Sequence, residues 1–401
     1  MPAGSSPKLI YLVTEDWYFR SHRMPMARAA RDGGFDVVVA TRINSVEDRR
    51  AIEAEGFRVV PLDWTRGSRN PLRELREMAA IAKLYRRERP AIVHHVAMKP
   101  VLEGGIAAWI ADVPAIVNAL TGLGAVFIGS GLAMRLLRPA IRLILRVALD
   151  HPRSRLVMQN RDDLDLMLRK GLVSPDRTVL IPGSGVDIAR FAPSPEPPGT
   201  VTAAIVARML WDKGVGELAE AARILKRRGV PIRIRLVGPR DDHNPAAIPA
   251  ATLEGWVREG IVEWPGEVKD IAGLWRDTAI SVLPSYREGL PKSLLEAAAS
   301  GRPMIATDVP GCREVVRHGE TGLLVPPRDA IALADALQTL AGDAERRRRY
   351  GQAARNLAEE RFSDKAIAQS MVALYREQME RAERKAQAER KAQAERKLTG
   401  N

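Results

Sequence analysis

Short runs of β-branched residues recur along this chain with longer amphipathic stretches between them, and this alternation restricts the fold more than any other feature. "KLIYLV" (8–13), "FDVVVA" (35–40), "FRVVPL" (57–62), "AIVHH" (91–95), "AIVNAL" (115–120) and "RLVMQ" (155–159) read as strands. The stretches between them have helical periodicity, as in 71–89, where Asn70 suits the N-cap and Pro71 the first turn. Strands that alternate with helices build βαβ units and a parallel sheet. The pattern breaks at "FAPSPEPPGT" (191–200), which holds four prolines, and then restarts with "VTAAIVA" (201–207), "IRIRLVG" (232–238), "IVEW" (261–264), "AISVLP" (279–284) and "RPMIATD" (302–308). The expected fold is therefore α/β, with two Rossmann-like, doubly wound parallel-sheet domains in tandem.

The expected organisation is a first domain over 1–190, a Pro-rich linker over 191–200 and a second domain over 201–362. A helix over 363–378 returns to the first domain, and 379–401 forms a charged repeat tail. That tail carries "ERKAQAERKAQAERK" (383–397), good helix formers without an apolar stripe. Ligands of doubly wound sheets sit beyond the carboxyl ends of the strands, so a cleft between the two domains is the expected site.

Composition narrows the function classes. The 401 residues are 46% hydrophobic and 28% charged, as in a globular protein, and the one cysteine, Cys312, excludes an internal disulfide. The amino terminus has an apolar run too short for a signal peptide, and no stretch reaches the length of a membrane span, so a cytoplasmic protein is expected. The net charge of +13 calls for an anionic partner. With aromatics at 5% and no nucleic-acid motif, nucleotide phosphate or a membrane surface is favoured over nucleic acid.

Two segments of the second domain carry the candidate chemistry. In "ARMLWDKGVGEL" (207–218), Arg208 and Lys213 lie in the turn that leaves the first strand, a placement suited to phosphate. Gly214 lets backbone approach there. In "REGLPKSLLE" (287–296), Pro291 opens a helix whose first amides, near Lys292 and Ser293, form an anion site. Glu288 stands ahead of that site, and Glu296 lies about 8 Å further along the helix axis. Hydroxyls, a diphosphate and a ribose in that order describe a nucleotide sugar.

These residues resemble a known family. A loop Arg and Lys after the first strand of a second domain, followed by Glu-Gly-x-Pro, three residues and Leu-Glu, is similar to the retaining family 4 glycosyltransferases of GT-B fold. "PGSGVDIARF" (182–191) and "TDVPGCREVVRHGETGLLVPP" (307–327) resemble that family's neighbouring segments. The resemblance implies that Arg208 and Lys213 bind the donor diphosphate, that Glu288 contacts the donor sugar and that Glu296 holds the ribose. Gly289, Leu290, Lys292 and Arg240 are implied on the donor side, and His22, His95 and Lys99 on the acceptor side. "FRSHRMPMARA" (19–29), "TRGSRNPL" (65–72) and "VGPRDDHNP" (237–245) narrow the likeness to bacterial N-acetylgalactosaminyltransferases that extend polyprenyl-diphosphate-linked sugars. This implies a UDP-sugar donor, a lipid-linked acceptor and a peripheral position on the inner face of the cell membrane. A different UDP-hexose, a lipopolysaccharide acceptor and a nucleotide-sugar epimerase are the alternatives.

In 132–149, Arg135, Arg138, Arg142 and Arg146 fall on one helical stripe. Two readings stand: a core helix with one wet side, or a basic amphipathic helix on anionic lipid. Asp163 and Asp165 form an Asp-x-Asp, but they follow Asn160 into a helix, where acidic residues are favourable without metal. No required metal and no cofactor beyond the sugar donor are expected. Trp17 and Trp211 flank loops of the expected cleft, where packing is the simpler role.

Overall fold

The computed structural model describes residues 6–64, 70–123, 143–242 and 244–399. It divides into two units, one formed by residues up to Ser184 together with those from Ile367 on, the other by Gly185–Ala366.

In the first unit the strands β1 (Lys8–Glu15), β2 (Asp36–Arg42), β3 (Arg58–Pro61), β4 (Ile92–Val96), β5 (Ala115–Ala119), β6 (Ser154–Met158) and β7 (Thr178–Leu180) form one sheet of order β3-β2-β1-β4-β5-β6-β7. Every pairing is parallel. β1 lies beside both β2 and β4, the order reversal at which doubly wound sheets place their ligands. Ile10, Leu12, Val93 and Ile116 pack under the helices Pro71–Glu88 and Met98–Ile110. A further helical stretch, 143–149, adds Leu145 and Leu149 to a cluster with Val101 and Leu156.

Tyr11, Leu9 and Val13 face the other way, toward the helices Asp16–His22 and Met24–Asp32 and the helix Asp364–Thr399. Ile367, Met371 and Tyr375, four residues apart, line that last helix against the sheet. Each contributes about 1.5–3 kcal/mol by burial. The Tyr375 hydroxyl meets Tyr11 Oη at 2.8 Å and His94 Nδ1 at 2.6 Å. The apolar stripe ends one turn later at Met379, yet the helix runs on to Thr399. Along that extension Arg381–Glu377, at 2.8 Å, is one of the i,i+4 ion pairs in place of packing. The tail expected from 379 is thus the continuation of the returning helix.

The second unit repeats the plan with β8 (Val201–Val206), β9 (Ile232–Val237), β10 (Glu263–Gly266), β11 (Ile280–Leu283), β12 (Met304–Thr307) and β13 (Gly322–Val325), ordered β10-β9-β8-β11-β12-β13. Its boundary falls at residue 185, ahead of the proline run. Phe191 is buried in this unit's core, Val186 bridges to Ser363, and Glu196 holds Arg347 at 2.6 Å. The prolines therefore lie along the second unit. No helix among the described residues is long and apolar enough to cross a membrane.

Arg135, Arg138 and Arg142, with Pro139, lie outside the described residues, as do Gly124 of "TGLG", His243 and residues 65–69.

Candidate active site

The donor-side residues of the sequence reading all fall in the second unit, at the carboxyl ends of β8, β9 and β11. β8 delivers the chain to Arg208 and to a 3-10 turn, Trp211–Lys213, before the helix Val215–Arg227. Gly214 links them with φ 69°, and a Cβ there would lie 2.0 Å from the Pro284 carbonyl oxygen. Only glycine lets the turn press against the end of β11. The Tyr286 amide donates to the Asp212 carbonyl at 2.9 Å, and the Tyr286 hydroxyl donates to Glu217 at 2.6 Å. Those two bonds fasten the loop after β11 to the loop after β8.

The result is a close ion pair. Lys213 Nζ stands 2.5 Å from Glu288 Oε1, with both side chains largely covered. Arg208 pairs with Asp241, and Arg240 pairs with Asp242. The Arg208 loop and the loop after β9 are laced together: Met209 N donates to Pro239 O at 3.0 Å, Ile248 N to Met209 O at 3.0 Å and Trp211 N to Ala246 O at 2.9 Å. The two phosphate-facing candidates thus already carry carboxylate partners, which a bound diphosphate would have to displace or share.

Pro291 occupies the N-cap of the helix Lys292–Ala299, one position earlier than the sequence reading put it, and no side chain caps this end. Glu296 sits one turn in, with Lys292 Nζ 3.9 Å away. Burial pushes the Glu296 carboxyl above its ordinary range, and burial lowers the Lys292 ammonium. Behind the turn, Gly311 has φ 79°, and a Cβ on it would lie 2.5 Å from the Gly289 carbonyl oxygen. It backs the Glu288–Gly289 turn. Cys312, next in the chain, is fully buried, and its thiol is raised by burial and by the nearby Glu288 charge. A thiol so held is unreactive.

Sequence reasoning missed Asp241, Glu217, Tyr286 and Arg328. The Arg328 guanidinium sits 4.5 Å from the centre of the Tyr286 ring, and its backbone is left-handed at φ 64°. Burial, with Glu217 beside it, raises the Tyr286 phenol to about 12. The signal for Asp241 was present in "RDDHN", two adjacent aspartates in a loop at the carboxyl end of a strand.

Two acceptor-side expectations in the first unit are corrected. His95 is fully buried on β4, with Nδ1 2.7 Å from Asn118 Oδ1 and Nε2 3.0 Å from the Tyr85 hydroxyl. Burial lowers it to about 4, so it is a neutral core residue and offers nothing to a ligand. Lys99 faces carboxylates: its Nζ lies 3.2 Å from Glu74, 2.6 Å from Glu77 and 3.3 Å from Glu103. Even with Glu103 protonated, the two carboxylates of Glu74 and Glu77 outnumber the one ammonium and leave a negative site, the wrong sign for a diphosphate. These three glutamates also form a group with metal-ligand spacing, and the ammonium lies among them. His22, half-buried, stacks on Tyr18 at 4.2 Å with its Nδ1 2.6 Å from Ser21 Oγ. Asp163 belongs to the helix cap, its amide donating to Asn160 Oδ1 at 2.8 Å. Trp17 and Trp211 are both exposed, and the Trp211 ring lies 6.1 Å from that of Trp256.

Burial, reinforced by Glu74, pushes the Glu103 carboxyl up to about 8. Between the ordinary carboxylate range and about 8 the folded chain keeps a proton that the unfolded chain has released. Stability contributed by that proton is therefore lost as pH rises through this window. Glu103→Gln should flatten the fall in melting temperature across the upper part of this window, and an unchanged slope would remove Glu103 as its source.

The family profile of group 1 glycosyl transferases matches residues 200–343, and that of 4-like glycosyl transferases matches residues 8–160. A Campylobacter jejuni N,N'-diacetylbacillosaminyl-diphospho-undecaprenol alpha-1,3-N-acetylgalactosaminyltransferase is 28% identical over 372 residues, covering 88% of this chain and 94% of that protein. The Staphylococcus aureus capsular polysaccharide biosynthesis glycosyltransferase CapM is 27% identical over 180 residues, 45% of this chain and 47% of its own length. Among solved structures, Anabaena HepE in complex with UDP and glucose superposes with a TM-score of 0.73 at 19% identity, covering 92% of this chain and 99% of that one. A glycosyltransferase of lipopolysaccharide biosynthesis, WaaG, has a TM-score of 0.69 at 14% identity, covering 92% of this chain and 99% of its own. At these identities the structures speak for the shared GT-B fold.

Proposed function

The chain belongs to the group 1, 4-like glycosyl transferases, and from that membership we propose that it moves a sugar from a UDP-sugar to a polyprenyl-diphosphate-linked sugar in bacterial glycan assembly, with retention of configuration. The preferred donor is UDP-N-acetylgalactosamine, giving an α-linkage. The observation that carries this reading is the likeness to the Campylobacter enzyme over nearly the whole length of both chains.

The chemistry follows from charge. As the bond between sugar and diphosphate breaks, negative charge grows on the leaving UDP. Arg208, Lys213 and the first amides of the helix Lys292–Ala299 stabilise it. Glu288 accepts from the donor-sugar hydroxyls, with the Gly289–Leu290 backbone beside it, and Glu296 accepts from the ribose. Arg240 neutralises further phosphate charge. The acceptor hydroxyl attacks on the face the leaving group vacates, and the departing phosphate takes its proton. His22 is the acceptor-side residue of this scheme. No metal is required, because the cations carry the leaving-group charge. The enzyme works at the inner face of the cell membrane, with Arg135, Arg138, Arg142 and Arg146 toward anionic lipid.

A donor panel tests this. Purified protein, EDTA and a bacterial extract of polyprenyl-diphosphate glycans are combined with each labelled UDP-sugar, and label in the organic phase is counted. Transfer from UDP-N-acetylgalactosamine above all others is expected. Tight UDP binding without transfer from any donor would point to a soluble acceptor or to epimerisation of the sugar.

A further inference from the structure

Four arginines are buried among the described residues: Arg23, Arg155, Arg302 and Arg347. Arg155 lies 3.8 Å from Glu377, Arg347 lies 2.6 Å from Glu196, and Arg302 donates to the Trp275 carbonyl at 2.8 Å and to Ser194. Arg23 is the exception. It stands between the helices Asp16–His22 and Met24–Asp32 and is 1% exposed. Its Nη1 donates to the Met26 sulfur at 3.3 Å, and its Nε donates to nothing. Among the described residues it makes no ion pair. Glu15 and Asp16, at the start of the first of those helices, are taken by Asn44 at 2.6 and 2.7 Å.

A second orphaned group lies in the field of the first. His94 is fully buried on β4, with Nδ1 2.6 Å from the Tyr375 hydroxyl and Nε2 without a partner. Burial lowers His94 well below the ordinary imidazole range, and the Arg23 charge lowers it further. Burial raises Tyr11 and Tyr375, and the same charge opposes it at both. The guanidinium therefore sits among these three side chains. When Tyr11 donates to Tyr375 and Tyr375 to His94 Nδ1, every hydroxyl proton is used and the imidazole N–H falls on Nε2. Buried N–H groups without an acceptor are rare, and a guanidinium does not lose its charge.

We propose that Arg23 Nε and His94 Nε2 hold a small monovalent anion of the chloride class inside the first unit. A water molecule would accept from both donors and leave the charge uncompensated. A phosphate or sulfate would bury oxygens for which two N–H groups are too few. A halide answers the charge and needs few donors. It joins three elements: the junction of the first two helices through Arg23, β4 through His94, and the returning helix Asp364–Thr399 through Tyr375. The site lies apart from the donor-side residues, which are all in the second unit, and stands independently of the sugar-transfer reading.

Because the site is closed, the ion enters as the unit folds, and melting reads it. The full-length protein should melt higher in sodium chloride than in sodium gluconate of equal ionic strength. Above half-saturation its melting temperature should rise by roughly 3–5 °C for each tenfold increase in chloride. Bromide should replace chloride, and a crystal grown in bromide should show an anomalous peak between Arg23 and His94. R23M removes the charge and should melt alike in the two salts. If that variant does not fold, the bromide peak in the parent decides. Equal melting of the parent in chloride and gluconate would overturn the proposal and leave a water between the donors. So would the parent's chloride dependence persisting in R23M, since the effect would then belong to surface charge. A rise with sulfate or phosphate equal to that with chloride would overturn the halide.

Discussion

Alanine in place of Arg208 or Lys213 is expected to lower turnover by more than about tenfold while the protein stays folded. Loss of one preorganised group that stabilises developing negative charge costs about 2.7–4 kcal/mol in comparable sites, or a factor of about 10² to 10³ in rate. The two substitutions should not be equal. Arg208 pairs with Asp241 of the loop after β9 and is the more exposed of the two cations, 37% against 22% for Lys213, so solvent screens more of its charge. Lys213 lies 2.5 Å from Glu288, whose side chain is only 12% exposed. Removing the ammonium would leave a largely buried carboxylate beside the position where the leaving diphosphate gains charge. Lys213→Ala should therefore be the more damaging of the two, and Glu288→Gln should recover part of the loss in that background. Steady-state rates with saturating donor, together with UDP affinity, decide it. Near-normal turnover in both single variants would sink the charge-stabilisation mechanism.

Gly214→Ala should damage the second unit as a whole. Alanine at φ 69° costs about 1–2 kcal/mol by itself. The added methyl would also meet the Pro284 carbonyl oxygen at 2.0 Å. That carbonyl has little room to retreat, because Tyr286 N holds the Asp212 carbonyl at 2.9 Å on the other side of the same contact. A backbone conflict of this kind belongs with the larger single-residue effects, about 3 kcal/mol or more. For a unit of this size that corresponds to a fall in melting temperature of roughly 6–12 °C. UDP affinity should fall with it, since Lys213 and Tyr286 are displaced together. A variant that melts like the parent would show that the two turns are less tightly joined than the geometry requires.

The central strands of both sheets were legible because each is a run of buried β-branched residues bounded by breakers. The edge strands β7 and β13 were not, since three or four residues half covered by neighbours carry too little pattern. The cap at Asn70 was legible for a local reason: its side chain accepts from the Leu72 amide at 3.1 Å, two residues away. Lys99 and His95 were misjudged because their partners are remote. Glu74 and Glu77 come from the preceding helix, and Asn118 comes from the next strand; nothing local in "HHVAMKP" announces either environment.

What the sequence by itself determined is the doubly wound plan and the family, because periodicity and short motifs are written over a few consecutive positions. The tertiary structure alone decided which charges meet. It paired Lys213 with Glu288 across 75 residues and Arg208 with Asp241 across 33. It also turned the glutamates of one helix inward and left its cations and leucines facing out. Electrostatics falls off with distance in space, and distance along the chain does not record it.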